Sequence, residues 1–558
     1  MAKKILIVGG GLAGTIVANG LCRQLREELS SGGVALTVLG ATDTHMYQPG
    51  LLYVPFGRMR ETELFRDQRK VLDRRVRFVV DPAEHIDTDK RAVTTKSGKT
   101  HDYDFLVIAT GSRIMPDNIP GMSEGAHWFY DLDGARKMRN ALADFKGGKI
   151  VVNVNVPHKC PVAPLEITFM LRDFLADKGL LDKTEITYTY PIGRLHTLEP
   201  VAKWASPEFD RFGIKSEIFF NTKSVDPKAK TVTSEEGTTL NYDLLIAIPP
   251  HSGQQVILDS NLGAGGWVPT ERNTLLREGS SNVFVVGDTT NIPISKAGST
   301  AHFEADTIVD NLASLIKEDR WARSYDGKVF CFVETGMNTG TYMWFNYTTP
   351  PNPGPPSQMV HWFKLAYKRL YWLSARGLLR GDTTMNDIAL SNQPPADELS
   401  RLTLAAREAL TDTMVERLAV TGANALELID RLNDEETSAA LHTLIDRLTE
   451  LHKVGAIDTL CDTLMLVHAA RNALTDNMVE RLFTFFEQMI NTVGNEAMGE
   501  LAQNTRVAFE AAAEETAQMT PRGGVFGMLS MLAKPETQRS IAFLLAFGEK
   551  LQRGAAGA

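Results

Sequence analysis

At 558 residues, with 43% hydrophobic and 23% charged side chains, the chain is long enough for three or four domains with substantial cores. A formal net charge of −9 without a Lys/Arg run argues against a nucleic-acid partner, and no apolar run reaches the ~18–20 residues of a membrane-spanning helix. The four cysteines, Cys22, Cys160, Cys331 and Cys461, form neither a CxxC nor a zinc pattern, so a disulfide scaffold is excluded and a metal site finds no support.

The chain opens with "KKILIVGGGLAGTIVANGL". This reads as a strand over Ile5–Val8, a glycine turn and a helix, not as a signal peptide. Gly9 permits the tight turn, Gly11 lets the backbone approach a pyrophosphate, and Gly14 allows helix and strand to pack closely. The helix N-terminus adds free N–H groups and a positive dipole end. The second strand, "VALTVLG", ends at Gly40, where an acidic residue for a ribose is expected; Asp43 is the nearest substitute. Two further strands end in turns of special character, "YDFLVIATGS" at Thr110–Gly111 and "NVFVVGDTTNIP" at Gly287–Asp288.

Taken with the glycine loop, these motifs resemble the two-dinucleotide-fold flavoprotein superfamily, in the family's order. The resemblance implies non-covalent FAD held by Gly9, Gly11, Leu12, Ala13, Gly14, Asp43, Pro49, Thr110, Gly111, Gly287 and Asp288, with Asp288 bonding the ribityl chain. Lys296 would stabilise the reduced flavin.

Relatives that oxidise NAD(P)H carry a second glycine loop in a central inserted domain. Here that place reads "KIVVNVNVPHKCPVAPLEITFMLRDFL". The strand (Ile150–Val156) and the helix (about Leu165–Ala176) are expected, but the glycines are absent and Pro157, Pro161 and Pro164 remove backbone donors. A pyrophosphate nest is therefore not expected, and an NADH:quinone reductase is the least favoured reading. Cys160 instead occupies the turn, beside Lys159 and His158 and near a helix N-terminus, a setting expected to favour thiolate. Cys331 lies in the apolar strand pattern "GKVFCFVETG".

"CPVAPLE", "GDTTNIPISKAGSTAHFEADTIVDNL" and the later strand cysteine resemble the sulfide:quinone oxidoreductase and flavocytochrome c sulfide dehydrogenase group, over roughly residues 1–380. The resemblance implies that Cys160 and Cys331 are a redox pair facing the flavin. Sulfide would attack their disulfide or sulfur-bridged form, one sulfur would add to the flavin, and sulfur would leave as polysulfide or persulfide. Glu166 and His196 match proton carriers. "GAHWFYDLDGARKM" (Gly125–Met138) holds no cysteine, so a covalent flavin link there is excluded. Cys22 and Cys461 are expected in cores.

After the Pro-rich "NYTTPPNPGPPSQ", residues 359–380 interleave aromatics with Lys364, Lys368, Arg369, Arg376 and Arg380. This reads as an interfacial helix with a basic rim, giving a peripheral, monotopic enzyme on the cytoplasmic face of a membrane, taking quinone from the lipid past Phe332, Tyr342, Trp344 or Phe345. The competing reading is an aromatic helix packed on the flavin domain. From about Thr384 helical spacing dominates, and "AAREALTDTMVERL" returns as "AARNALTDNMVERL". Such repeats predict an all-α domain for oligomerisation, membrane contact or protein docking, without a catalytic residue.

The expected fold is α/β with two Rossmann-like domains. A discontinuous FAD domain (1–115 and 281–345) is interrupted by an inserted domain (116–280); a linker with the amphipathic helix (346–383) and the helical domain (384–558) follow. The alternatives to quinone are a protein acceptor docked on the helical domain, or a non-catalytic redox sensor or scaffold.

Overall fold

A computed structural model describes residues 2–377 and 435–453, with the single positions 420, 535 and 539. The chain separates into two units, Met1–Glu435 and Glu436–Ala558. The repeated segments, Cys461 and Arg380 lie outside the described residues; of the region expected to be all-α, the described residues include a helix at Glu435–Lys453.

In the first unit the elements that position the site run as follows. They are β1 (Lys3–Val8), α1 (Leu12–Gln24), β2 (Val34–Gly40), β3 (Arg77–Val80) and β4 (Phe105–Ile108). The middle of the chain adds β5 (Gly148–Val154), α2 (Ala163–Asp177), β6 (Thr184–Tyr190), β7 (Lys215–Ile218) and β8 (Leu244–Ile248). The chain then forms β9 (Val283–Val285), α3 (Gly298–Glu318), β10 (Val329–Glu334), β11 (Gly340–Phe345) and α4 (Gln358–Ala375).

Five strands make one parallel sheet in the order β9-β4-β1-β2-β3. Because β9 arrives only after the middle segment, the sheet is assembled from both ends of that insertion. Four more form a second parallel sheet, β7-β6-β5-β8. Both are strand–helix layers of the Rossmann kind. Their central strands are continuous apolar runs because helices cover both faces: Ile5, Leu6, Ile7 and Val8 are all buried, as are Ile150, Val151 and Val152. In each sheet the parallel strands end at one edge, where ligands of open α/β sheets are bound.

A third layer closes the molecule. The hairpin β10–β11 is antiparallel, pairing Cys331 with Met343, and α4 packs on it. One apolar core unites Val162 and Phe169 of the insertion, Cys331 of the hairpin, and Tyr371 and Trp372 of α4. Among the described residues no helix is long and apolar enough to cross a membrane.

Two of the cations expected at the basic rim of residues 359–380, Lys364 and Lys368, turn inward instead. Along α4, Val360, Trp362, Leu365, Tyr371, Trp372 and Leu373 are buried, and Lys368 with them. Lys364 turns inward onto carboxylates. The cause is that buried Glu166 and Glu334 demand a cation that solvent would otherwise replace. Only Met359 (43%) and Phe363 (41%) keep large apolar surface on the helix exposed.

Candidate active site

At the ends of β1, β4 and β9 the three turns singled out from the sequence lie side by side. Gly9 has φ +122° and comes so close to β4 that a Cβ would stand 2.2 Å from the Ala109 carbonyl oxygen. Gly14 backs onto the turn itself, where a Cβ would stand 2.0 Å from the Gly9 oxygen. A Cβ on Gly11 would meet nothing within 4 Å, and α1, which Gly11 caps, has no side-chain cap. An open glycine before an uncapped helix start is a cradle of the kind a pyrophosphate fills. Leu12 is partly exposed and Ala13 buried behind it.

The neighbouring turns are stitched together. Thr110 donates its hydroxyl to Thr289 Oγ1 at 3.0 Å, and Ser112 donates to Asp288 Oδ2 at 3.1 Å. Gly111 and Gly287 both have positive φ. The buried carboxyl of Glu304 on α3 accepts the Gly287 N–H at 2.5 Å, and burial pushes it up to about 8. Asp43 and Pro49 are exposed beyond β2. This set fits a dinucleotide: an open glycine turn, a half-buried Asp at the strand end, and a crevice edge that a Cβ would fill.

The cysteine turn lies against the same region. Cys160 donates its N–H to the Lys296 carbonyl at 2.6 Å, and Lys296 follows the Gly287–Asp288 turn. The Lys296 ammonium donates to the Thr290 carbonyl at 2.5 Å and stands 4.5 Å from the Trp267 ring centre. Burial lowers its pKa, against the opposing pull of Asp288 and Glu304. Several donors of the turn are missing or taken. Pro157, Pro161 and Pro164 have none, Ala163 N–H returns to Cys160, and Leu165 and Glu166 N–H both return to Val162. Fewer N–H groups remain there for a pyrophosphate than a glycine turn would offer.

Cys160 itself has φ +50°. A non-glycine residue in the left-handed region costs ~1–2 kcal/mol, and such strain clusters where side-chain placement matters. Glu166, Cys331 and Lys364 all bear electrostatically on the thiol, and Glu166 and Lys364 bear on Cys331 as well. Both thiols are free.

Thiolate is not favoured here, contrary to the sequence-based expectation. Burial first, then the Glu166 charge, pushes both thiols up, Cys331 to about 12. The flanking cations give no relief. The Lys159 ammonium is bound to Gln48 Oε1 at 2.8 Å, and burial pushes His158 down to about 4, leaving it neutral. Any thiolate chemistry at this pair must come with a local proton acceptor.

Glu166, 3% exposed, is that acceptor by position. It accepts the Glu334 backbone N–H at 2.8 Å and is ion-paired with Lys364. Burial raises its pKa, and the Lys364 charge offsets this only in part. His196 is buried rather than solvated; its Nδ1 accepts the Leu198 N–H at 3.0 Å, and burial pushes it down to about 4.

Sequence reasoning missed Lys364, His361, Glu334 and Tyr53. Glu334 accepts from the Tyr53 hydroxyl at 2.6 Å and from His361 Nδ1 at 2.9 Å, with Lys364 Nζ at 4.0 Å. The signal was present but weak: a charged residue completing an apolar strand, and His361 and Lys364 at i,i+3 on one helix face. Beside them Phe330 stacks on Tyr342 at 5.8 Å, and Phe332 meets Tyr367 at 6.2 Å. Trp344 is exposed and Phe345 buried. Cys22 is buried on α1, as expected of a core cysteine. No group of His, Cys, Asp and Glu among the described residues could hold a metal ion.

Residues 3–154 match the pyridine nucleotide-disulphide oxidoreductase family model. The chain is 25% identical over 361 residues to the mitochondrial sulfide:quinone oxidoreductase of Mus musculus, covering 62% of this chain and 79% of the relative. It is 26% identical to the Dictyostelium discoideum enzyme of the same name, covering 68% and 86%. Among solved structures, the sulfide:quinone oxidoreductase of Aquifex aeolicus shares the fold with a TM-score of 0.63 at 19% identity, covering 70% of this chain and 96% of that one.

Proposed function

Taking the chain as a homologue of the sulfide:quinone oxidoreductases, and hence a flavin-dependent oxidoreductase, we propose that it oxidises sulfide through a Cys160/Cys331 pair and passes the electrons to quinone. The observation that carries this reading is the convergence of both sulfurs on Glu166 and Lys364, in a turn hydrogen-bonded to the segment after Asp288.

Gly9, Gly11, Leu12, Ala13, Gly14, Thr110, Gly111, Gly287 and Asp288 would hold FAD, with Asp43 and Pro49 at its rim and Lys296 beside the cysteine turn. Bound there, FAD supplies the two-electron acceptor that the side chains lack. The rest is sulfur exchange. Hydrosulfide attacks the oxidised Cys160–Cys331 pair; a new S–S bond forms on one cysteine as a persulfide, and the old bond breaks to leave the other as thiolate. Glu166 takes the hydrosulfide proton. Lys364 offsets the negative charge that accumulates in this low-dielectric site, where a thiolate would otherwise be costly. His196, neutral and buried, serves as a second proton carrier at the turn. A second hydrosulfide removes the outer sulfur as hydrogen disulfide, the simplest polysulfide, and leaves both cysteines reduced; their two electrons would pass to the bound FAD as the Cys160–Cys331 bond re-forms.

Quinone is proposed to approach the hairpin and α4, where the partly exposed Phe332, Tyr342 and Tyr367 offer ring faces. Exposed Met359 and Phe363 are the apolar surface on α4 for a membrane contact. The deciding experiment is anaerobic reduction of the bound flavin, adding sulfide and NADH separately and then a short-chain quinone. Sulfide is expected to bleach the flavin and quinone to restore it, with bleaching by sulfide lost in Cys160→Ser and in Cys331→Ser. Bleaching by NADH alone, or unchanged rates in both variants, would refute the proposal.

A further inference from the structure

Behind the two sulfurs lies a charge cluster larger than the proposed chemistry needs. Glu334 at the end of β10 is fully buried (0% exposed), an expensive place for a carboxylate. It is satisfied on both oxygens: Oε1 accepts from Tyr53 at 2.6 Å, and Oε2 from His361 Nδ1 at 2.9 Å. Its backbone N–H holds Glu166 Oε1 at 2.8 Å, and Lys364 Nζ lies between the two carboxylates, ion-paired with Glu166 and 4.0 Å from Glu334 Oε1. Two buried carboxylates thus share one ammonium. Of the two, Glu334 is satisfied by side-chain donors on both oxygens, which leaves Glu166 as the carboxyl that more readily holds a proton.

We propose that Glu334 is a positioning residue: fixed by Tyr53 and His361, it anchors Lys364 and sets its own negative charge against Glu166, so that Glu166 is the group that holds and releases the exchangeable proton of the sulfur site. The inference rests on the reading of Glu166 as the proton acceptor. Facing Glu166 are Lys364, Glu334, Cys160, Cys331, Tyr53 and Tyr130. Of these Lys364 and the Glu334 N–H favour its ionised form and the Glu334 charge opposes it, while the thiols and phenols, raised by burial, are neutral where it titrates. The directions agree. Burial would raise Glu334, but Lys364, His361 and Tyr53 outweigh it and hold the carboxyl below its usual range. Burial raises Glu166, with the Glu334 charge adding to the rise. Lys364 is held above its usual range by the two carboxylates, against burial.

The test is an infrared titration of the full-length flavoprotein without sulfide. The protonated-carboxyl band is assigned to Glu166 by its loss in Glu166→Gln. In Glu334→Gln, which keeps the shape and removes the charge, the midpoint of that band is expected to move to lower pH. Glu334→Asp is expected to return it toward the wild-type value. Tyr53→Phe, which takes one donor from Glu334, moves it in the same direction by less and serves if Glu334→Gln does not fold. A midpoint unmoved in the folded variants, or a band that does not belong to Glu166, overturns the proposal. Because the readout needs no sulfide, a shifted band in a protein whose flavin sulfide cannot reduce would refute the proposed reaction and leave this role standing. Sulfide turnover with an unmoved midpoint would do the reverse.

Discussion

The molecule builds the same strand–turn–helix unit twice and fills the turn in opposite ways. In the first unit, β1 and α1 are joined by glycines that let the chain turn at φ +122° and leave open space before the helix. In the second, β5 and α2 are joined through Pro157 and Pro161, and the left-handed position falls on Cys160 at φ +50°. The first turn leaves open space before its helix; the backbone of the second is in part consumed internally, on Lys296, Cys160 and Val162. The difference teaches that a Rossmann unit is a device for aiming the turn at one spot. Whether a phosphate or a side chain is presented there depends on who owns the N–H groups.

That contrast can be broken from either side. The largest effect is expected for Gly14→Ala, whose Cβ would stand 2.0 Å from the Gly9 oxygen. Loss of about 3 kcal/mol or more, together with loss of bound flavin, is expected by thermal melting and flavin absorbance per protein. Next is Glu304→Gln, in the brace under the Gly287 turn. The native carboxyl keeps its proton up to about 8, whereas its ordinary value is 4.5. The unfolded chain therefore releases a proton that the native state retains. The stability this group contributes is full below the ordinary value and is lost as pH rises toward the native one. The drop in melting temperature between pH 5 and pH 8 should shrink in the variant.

Glu166→Gln tests the second turn. Reduction of the flavin by sulfide should slow about 10²-fold in stopped-flow, with flavin content unchanged. Smaller still is the strain at Cys160. Cys160→Gly should be more stable than Cys160→Ala by about 1 kcal/mol in denaturant unfolding, reversing the order found at ordinary φ. Equal stabilities would mean that the left-handed backbone carries no strain. The smallest effect on the fold belongs to Gly11→Ala. Its Cβ meets no protein atom, so stability should change by less than about 0.5 kcal/mol while flavin affinity falls. Unchanged affinity would remove the pyrophosphate from that spot.

Much of the fold was legible because its signals are local. The glycine turn carries its own strand and helix, and the strand read at Ile5–Val8 is observed as Lys3–Val8. The helix read at about Leu165–Ala176 forms at Ala163–Asp177. Residues 359–380 were harder. Their aromatic and basic composition suits a membrane surface and a packed helix equally, and only the partners across the fold distinguish them. Lys364 looks like a rim cation until Glu166 and Glu334 are brought beneath it. The thiolate expected of Cys160 failed for the same reason. Its chain neighbours Lys159 and His158 suggest a positive setting, but Lys159 is taken by Gln48 and His158 is neutral. The groups that govern the sulfur come from α2, β10 and α4.

By itself the sequence determined the order of strands and turns, the open first cradle, the loss of the second, and which two cysteines stand in unusual settings. These are properties of a few adjacent residues: φ freedom, missing N–H groups, hydrophobic period. Tertiary structure alone decided which way α4 faces, that Glu166 rather than a flanking cation governs the sulfurs, and that Glu334, Tyr53 and His361 stand behind it. Electrostatics in a buried site depends on distance through space and on exclusion of water. Residues far apart in the chain acquire both only once the two sheets, the hairpin and the helix have closed on one another.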